Sequence, residues 1–171
     1  MWMIGLAAGC RGILGIEDPV LVDATPDGPA IDPTCPAAPP GCTPFACLGI
    51  RNCYYDCGID VKQTWTNAGQ FCTGNRLDCL APVRNAVDAG CLGSRAKTDP
   101  IWVNYAQQTD ATEPSNGWDW GCAQTNFINW APTEPNNLTG DEDCGAIKDT
   151  GGKLFDEKCT NLYRFVCVQE L

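Results

Sequence analysis

No histidine occurs anywhere in the chain, and that absence removes more chemistry than any other feature of its composition. Mixed Cys/His zinc sites cannot be built without imidazole. The commonest general base is missing, and with it every Ser-His or Cys-His nucleophilic arrangement. Basic residues are also scarce: 11 Lys and Arg stand against 21 Asp and Glu, a formal net charge of −10. Such a chain repels phosphate backbones and anionic headgroups, so nucleic acid is excluded as a partner and cations are favoured. No stretch approaches the roughly 20 apolar residues that cross a bilayer, so any membrane attachment is expected through lipid alone. A Gly-rich phosphate loop, a thioredoxin-like redox pair and an internal repeat are absent as well.

What is abundant is cysteine, 13 in 171 residues. With no histidine beside them, disulfides are the default expectation, and they imply an oxidising, extracytoplasmic compartment. The length suits one domain with a tail. An odd count leaves one thiol over. The chain opens "MWMIGLAAGC", a short apolar run ending at Cys10. It resembles the cleavage box of bacterial lipoproteins, in which the cysteine carries the lipid. Residues 1–10 are therefore expected to be a signal remnant, with Cys10 lipid-bearing and twelve cysteines left for six bridges. The run departs from that pattern in lacking a basic start, in being short, and in carrying Ala7 where such boxes usually have Leu. The expected location is a bacterial cell envelope, as an outer-surface lipoprotein, or the secreted state.

Residues 11–41 are rich in Pro, Ala and Asp without sustained periodicity, which reads as an extended spacer. Residues 41–60 hold four cysteines among glycines and aromatics, suiting a disulfide-pinned hairpin; a four-thiolate zinc cluster is the rival reading. "DVKQTWTNAGQFC" predicts a helix capped by Asp60, with Val61, Trp65, Ala68 and Cys72 on one face. A second helix is predicted over "LAPVRNAVDAGCLGS", with Pro82 in its first turn, Val83, Ala86 and Val87 as its apolar face, and Gly90 or Gly93 as its stop. Beyond it, "IWVNY", "GWDW", "KLFDEKC" and "YRFVCVQEL" are short aromatic and β-branched runs separated by turn residues, the pattern of antiparallel strands. The fold class is α+β. The long stretch from Asp110 to Asp143 has little secondary-structure propensity, and with Trp118, Trp120, Phe127 and Trp130 to anchor it a functional loop is expected.

Within that loop, "EPNNLTGDEDC" places Glu134, Asn136, Asp141, Glu142 and Asp143 close together before Cys144. On composition alone this is either a solvated acidic loop or a cation site built from loop oxygens. Glu134 and Asn136 flank Pro135, and an extended or cis backbone there aims both side chains the same way.

These residues also carry a family resemblance. "W-x-x-x-E-P-N" from Trp130, "GDEDC" from Gly140, "FDEKC" from Phe155 and "FVC" from Phe165 resemble, in order and spacing, the C-terminal half of a C-type lectin-like domain. Cys72 and the "WVN" at Trp102 match its earlier landmarks. The resemblance covers residues 42–171 and implies two helices, two small antiparallel sheets, a long loop region, and bridges Cys72–Cys167 and Cys144–Cys159. It further implies one Ca2+ held by Glu134, Asn136, Glu142 and Asp156, the same residues binding two vicinal sugar hydroxyls. Glu-Pro-Asn implies a mannose-type preference. Where the family pattern has an Asn before Asp156, this chain has Phe155, which supplies no oxygen, so calcium affinity is expected near the weak 10⁻⁴ to 10⁻³ M range.

The expected function is calcium-dependent binding of mannose-type glycans at a cell surface; the alternative is a lectin-like domain that contacts protein instead. Recognition is expected rather than catalysis, since carboxylates sharing a cation make poor proton donors for glycoside hydrolysis. Trp118, Trp120 and Trp130 are expected in the core rather than against sugar. Asp110, Glu113 and Asp143 are read as a solvated rim rather than an auxiliary cation site. The "NLT" at Asn137 is read as a chance match to a glycosylation acceptor.

Overall fold

In a computed structural model the described residues are 30–97 and 99–171; Cys10 and most of the expected spacer lie outside them. The elements run β1 (Cys42–Phe45), β2 (Cys53–Cys57), α1 (Trp65–Gly74), β3 (Cys79–Leu80), α2 (Ala86–Arg95), β4 (Ile101–Gln107), β5 (Trp118–Asp119), β6 (Cys144–Ile147), β7 (Leu154–Glu157) and β8 (Arg164–Gln169). The class is α+β. The strands form one sheet in the order β1-β2-β8-β4-β6-β7, with β3 added on β8 and β5 on β4. Two small sheets thus meet through β4, whose Ile101 and Trp102 pair parallel with Arg164 and Phe165 while its other edge runs antiparallel to β6.

Alternation along the central strands feeds two cores. Ile101, Val103 and Tyr105 of β4 and Val166 and Val168 of β8 join Leu92 and Ala89 of α2 on one side. Trp102, Phe165 and Cys167 join Ala68 and Cys72 of α1 on the other. The sheet is therefore covered by one helix on each face. Residues 41–60 form the disulfide-pinned hairpin, β1 pairing β2 antiparallel with Cys42 bonded to Cys57. Cys47 reaches Cys91, and Cys35 reaches Cys53. With those four cysteines in disulfides, no thiolate cluster is left there for zinc. Residues 35–41, expected in the spacer, are in fact fastened to the domain by that last bridge and by the Tyr55 hydroxyl donating to the Pro36 carbonyl at 2.7 Å.

Both helices begin later than expected. Gln63 exchanges backbone hydrogen bonds with Tyr163 at 2.9 and 3.0 Å, holding the chain extended, so α1 is capped by Thr64 rather than Asp60, and Val61 stays exposed. Asn85 caps α2 by accepting from Val87 and Asp88, which leaves Val83 buried before the helix and Val87 exposed on it. Gly93 does not stop α2. It lets the helix meet the β6–β7 turn backbone to backbone: a Cβ at Gly93 would lie 2.5 Å from the Gly152 nitrogen. A Cβ at Gly152, whose φ is +68°, would lie 1.9 Å from the Ala89 carbonyl oxygen. This contact seats the β6–β7 hairpin, which carries one wall of the site.

Candidate functional site

The site is assembled where the 134–142 loop crosses β7. In the β6–β7 register, Gly145 faces Asp156 and Ala146 faces Phe155, and Cys144–Cys159 closes the hairpin's open end. Asp156 is buried, and its carboxylate accepts the Asn136 N–H at 3.0 Å and the Asn137 N–H at 2.6 Å. A strand carboxylate thus holds the loop by its backbone. The Glu134–Pro135 bond is cis, and the Asn136 amide donates to Glu134 Oε2 at 2.8 Å. Glu134 also packs on Asp156. Its carboxyl is pushed up to about 7, first by burial and then by the Asp156 carboxylate; Asn136 and Lys148 act the other way.

Glu142 is placed differently. Its two oxygens accept the Leu138 N–H at 2.7 Å and the Thr139 hydroxyl at 3.0 Å, while its own N–H donates to Asn137 Oδ1 at 3.1 Å. Asn137, at φ +44°, also donates from its amide to Glu113 Oε2 at 2.8 Å. Asn137 is the hub of the loop, and reading donor types missed it; the available signal was an Asn-Asn pair before a Gly, the residues that best tolerate a left-handed backbone. Asp141, fully exposed, is held below its usual range by Lys158, 2.7 Å away, and by Thr139. The structure does not gather Asp110, Glu113 and Asp143 into a second cluster: Glu113 bonds Asn137, and Asp143 contributes a carbonyl to Gln107. Trp120 is buried, while Trp118 and Trp130 pack on the core around Tyr105. Phe155 carries the Lys148 ammonium 4.8 Å above its ring, and that ammonium pairs with Glu157.

Calcium takes six to eight oxygens. The donor chemistry suits a cation, because Glu134 and Asp156 crowd like charge that a divalent ion would relieve. The number of donors is low. Glu142 is turned onto Leu138 and Thr139, Phe155 supplies none, and among the described residues no three acidic or cysteine groups stand together as a metal cluster. Glu134, Asn136 and Asp156 come together; Glu142 adjoins them through Asn137 only.

A family model described as Lectin C-type domain matches residues 61–169, more than half of the chain. The chain belongs to the C-type lectin domain family. It is 28% identical over 127 residues to C-type lectin domain family 10 member A of Mus musculus, covering 70% of this chain and 39% of that one. With C-type lectin lectoxin-Enh4 of Pseudoferania polylepis it shares 27% over 119 residues, 64% of this chain and 73% of that one. The chain thus spans about two fifths of the mouse lectin's length. Among solved structures, the cow carbohydrate-recognition domain of CD23, crystallised with a GlcNAc2Man3 oligosaccharide, superposes with a TM-score of 0.63 at 22% identity, over 80% of this chain and 98% of that one. A calcium-independent type II antifreeze protein superposes with a TM-score of 0.61 at 18% identity, over 78% and 95%. At those identities the two structures establish the C-type lectin fold alone.

Proposed function

We propose that this C-type lectin domain binds carbohydrate at the edge made by Glu134, Asn136 and Asp156, with calcium as a weak co-ligand and a mannose-type pair of vicinal hydroxyls as its ligand. The observation that carries the reading is the side-by-side pairing of the Glu134 carboxylate with the Asn136 amide, next to the buried Asp156. One group accepts and the other donates, which matches two adjacent hydroxyls each able to do both. Asp156 holds the Asn136 and Asn137 backbone, so the pair is aimed before ligand arrives. Bound calcium would be held by Glu134, Asn136 and Asp156, would neutralise the two carboxylates, and would offer open positions to sugar oxygens. Glu142 joins that set only by giving up Leu138 and Thr139, which keeps affinity in the 10⁻⁴ to 10⁻³ M range of weak extracellular modules. One shallow site binds weakly, so useful avidity comes from many copies on a surface.

Six disulfides fit work outside the cytoplasm. Attachment through a lipidated Cys10 at a bacterial envelope, with a spacer ahead of the domain, belongs to the same proposal, and fatty-acid labelling independent of Cys10 would dispose of it.

A glycan array run with calcium and again with chelator tests the main reading. Chelator-sensitive mannose-type signals support it. Silence in both, with a melting temperature unmoved by calcium, rejects it in favour of the second reading, a lectin-like domain that contacts protein. Phe155 at a donor position and the engaged Glu142 carboxylate favour that second reading.

A further inference from the structure

Away from the Glu134 edge, residues 119–128 wrap a groove that none of the roles above uses. Its inner end is a cleft of about 130 Å³ walled by Tyr105, Trp118 and Trp120 and rimmed by Asp119, Thr125 and Asn126. It continues into a trough of about 520 Å³ that shares the same three rim residues and adds Gln124. The inner cleft alone falls below the 300–1,000 Å³ of ordinary small-molecule sites, whereas the trough lies within that range.

The groove is rigid. Cys79–Cys122 ties its start to β3. The Trp120 indole N–H donates to the Phe127 carbonyl at 2.9 Å, and the Thr125 hydroxyl bonds the Arg84 carbonyl at 3.3 Å while accepting from the Phe127 N–H at 3.1 Å. Thr125 is thereby turned inward, and its neighbours Gln124 and Asn126 stand exposed on the rim. One oxygen of the exposed Asp119 carboxylate accepts the Trp120 N–H, leaving the other for a ligand. Asp119 lies close enough to the Tyr105 hydroxyl to help burial push it up to about 12.

Neither part of the groove is lined by Lys or Arg. With one carboxylate on the rim of a chain of net charge −10, anionic ligands are repelled. Two carboxamides, a hydroxyl and a carboxylate offer donors and acceptors together, which a quaternary ammonium cannot use and a polyol can. The aromatic end suits the apolar C–H face of a sugar ring.

We propose that this groove is a second, metal-independent subsite for a neutral sugar, its ring against the aromatic end and its hydroxyls on Asp119, Gln124 and Asn126. Because the walls are fixed before binding, little ordering entropy opposes a small ligand.

The test is an NMR titration of the full chain in chelator with methyl α-mannoside, lactose and N-acetylchitobiose at millimolar concentration, with sialyllactose and choline as contrasts. The Trp118 and Trp120 indole N–H and amides 119–128 are followed. Saturable shifts there with at least one neutral sugar and none with sialyllactose are expected. Asn126→Ala, an exposed position, is expected to weaken binding about fivefold, as loss of one hydrogen bond does. Glu134→Gln is expected to leave these shifts unchanged, which separates this groove from the calcium edge. No shift with any neutral sugar, a response to choline alone, or shifts that vanish with Glu134→Gln would each overturn the proposal.

Discussion

The sheet half of the molecule and its loop half are held together by different forces. Around β2, β8 and β4, backbone ladders run through strands buried on both faces; β2 and β8 alone pair over five consecutive residues. From 108 to 143 the only strand is the two-residue β5, and order comes instead from side chains. Asn137, Glu142 and Asp156 bond loop amides, and Tyr105, Trp118, Trp120 and Trp130 stack with centroids 4.1 to 5.5 Å apart. A ladder spreads its load over many equivalent bonds, whereas the loop depends on a few carboxylates. Damage to the first half should be global, and damage to the second local.

The largest effect is expected from the bridge between α1 and β8. Cys72–Cys167 spans 95 residues, and replacing both cysteines by Ala should cost about 4 kcal/mol. A calorimetric melt reads this as a fall of about 10 °C. Gly152→Ala comes next, at about 2 to 3 kcal/mol, because the new Cβ meets the Ala89 carbonyl at 1.9 Å and φ is +68°. A global loss is expected there too, since the turn seats the whole hairpin on α2.

Asp156→Ala should sharpen the contrast. It removes the acceptor for two loop amides, a local cost of about 2 kcal/mol. Hydrogen exchange at Asn136 and Asn137 should quicken about 30-fold, while Val166 in β8 keeps its protection. Equal acceleration at both would erase the distinction between the halves.

The smallest effect is a pH dependence confined to the loop. Glu134 is raised from 4.5 to about 7, so the folded chain holds that proton more tightly than the unfolded one. Its contribution to stability is complete below pH 4.5 and is lost as pH rises through about 7. In chelator, the melting temperature should therefore decline over that interval, and Glu134→Gln should flatten the decline.

The same contrast governs what could be read from the sequence. Strands β4 and β8 were legible because "IWVNY" and "YRFVCVQEL" carry aromatic and β-branched runs, a local signal. The start of α1 was not, because Gln63 is held extended by Tyr163 from the far end of the chain. Strand β6, "CGAI", escaped since small residues buried on both sides show neither alternation nor β-branched bulk until Ile147. Cys35 looked like part of a spacer because its partner, Cys53, lies beyond a turn that composition does not reveal. In the loop, motif spacing picked out Glu134, Asn136, Glu142 and Asp156 but not how their oxygens are used. That Glu142 caps Leu138 and Thr139, and that Asn137 links three acids, depends on a left-handed backbone at residue 137.

A calcium titration followed by amide NMR tests the account's central claim most directly. It predicts saturable shifts at the Asn136 side-chain amide and at the backbone of residues 134–137 and 156, with a midpoint between about 10⁻⁴ and 10⁻³ M. Spectra unmoved by millimolar calcium, or shifts that bypass Glu134, Asn136 and Asp156, would contradict it.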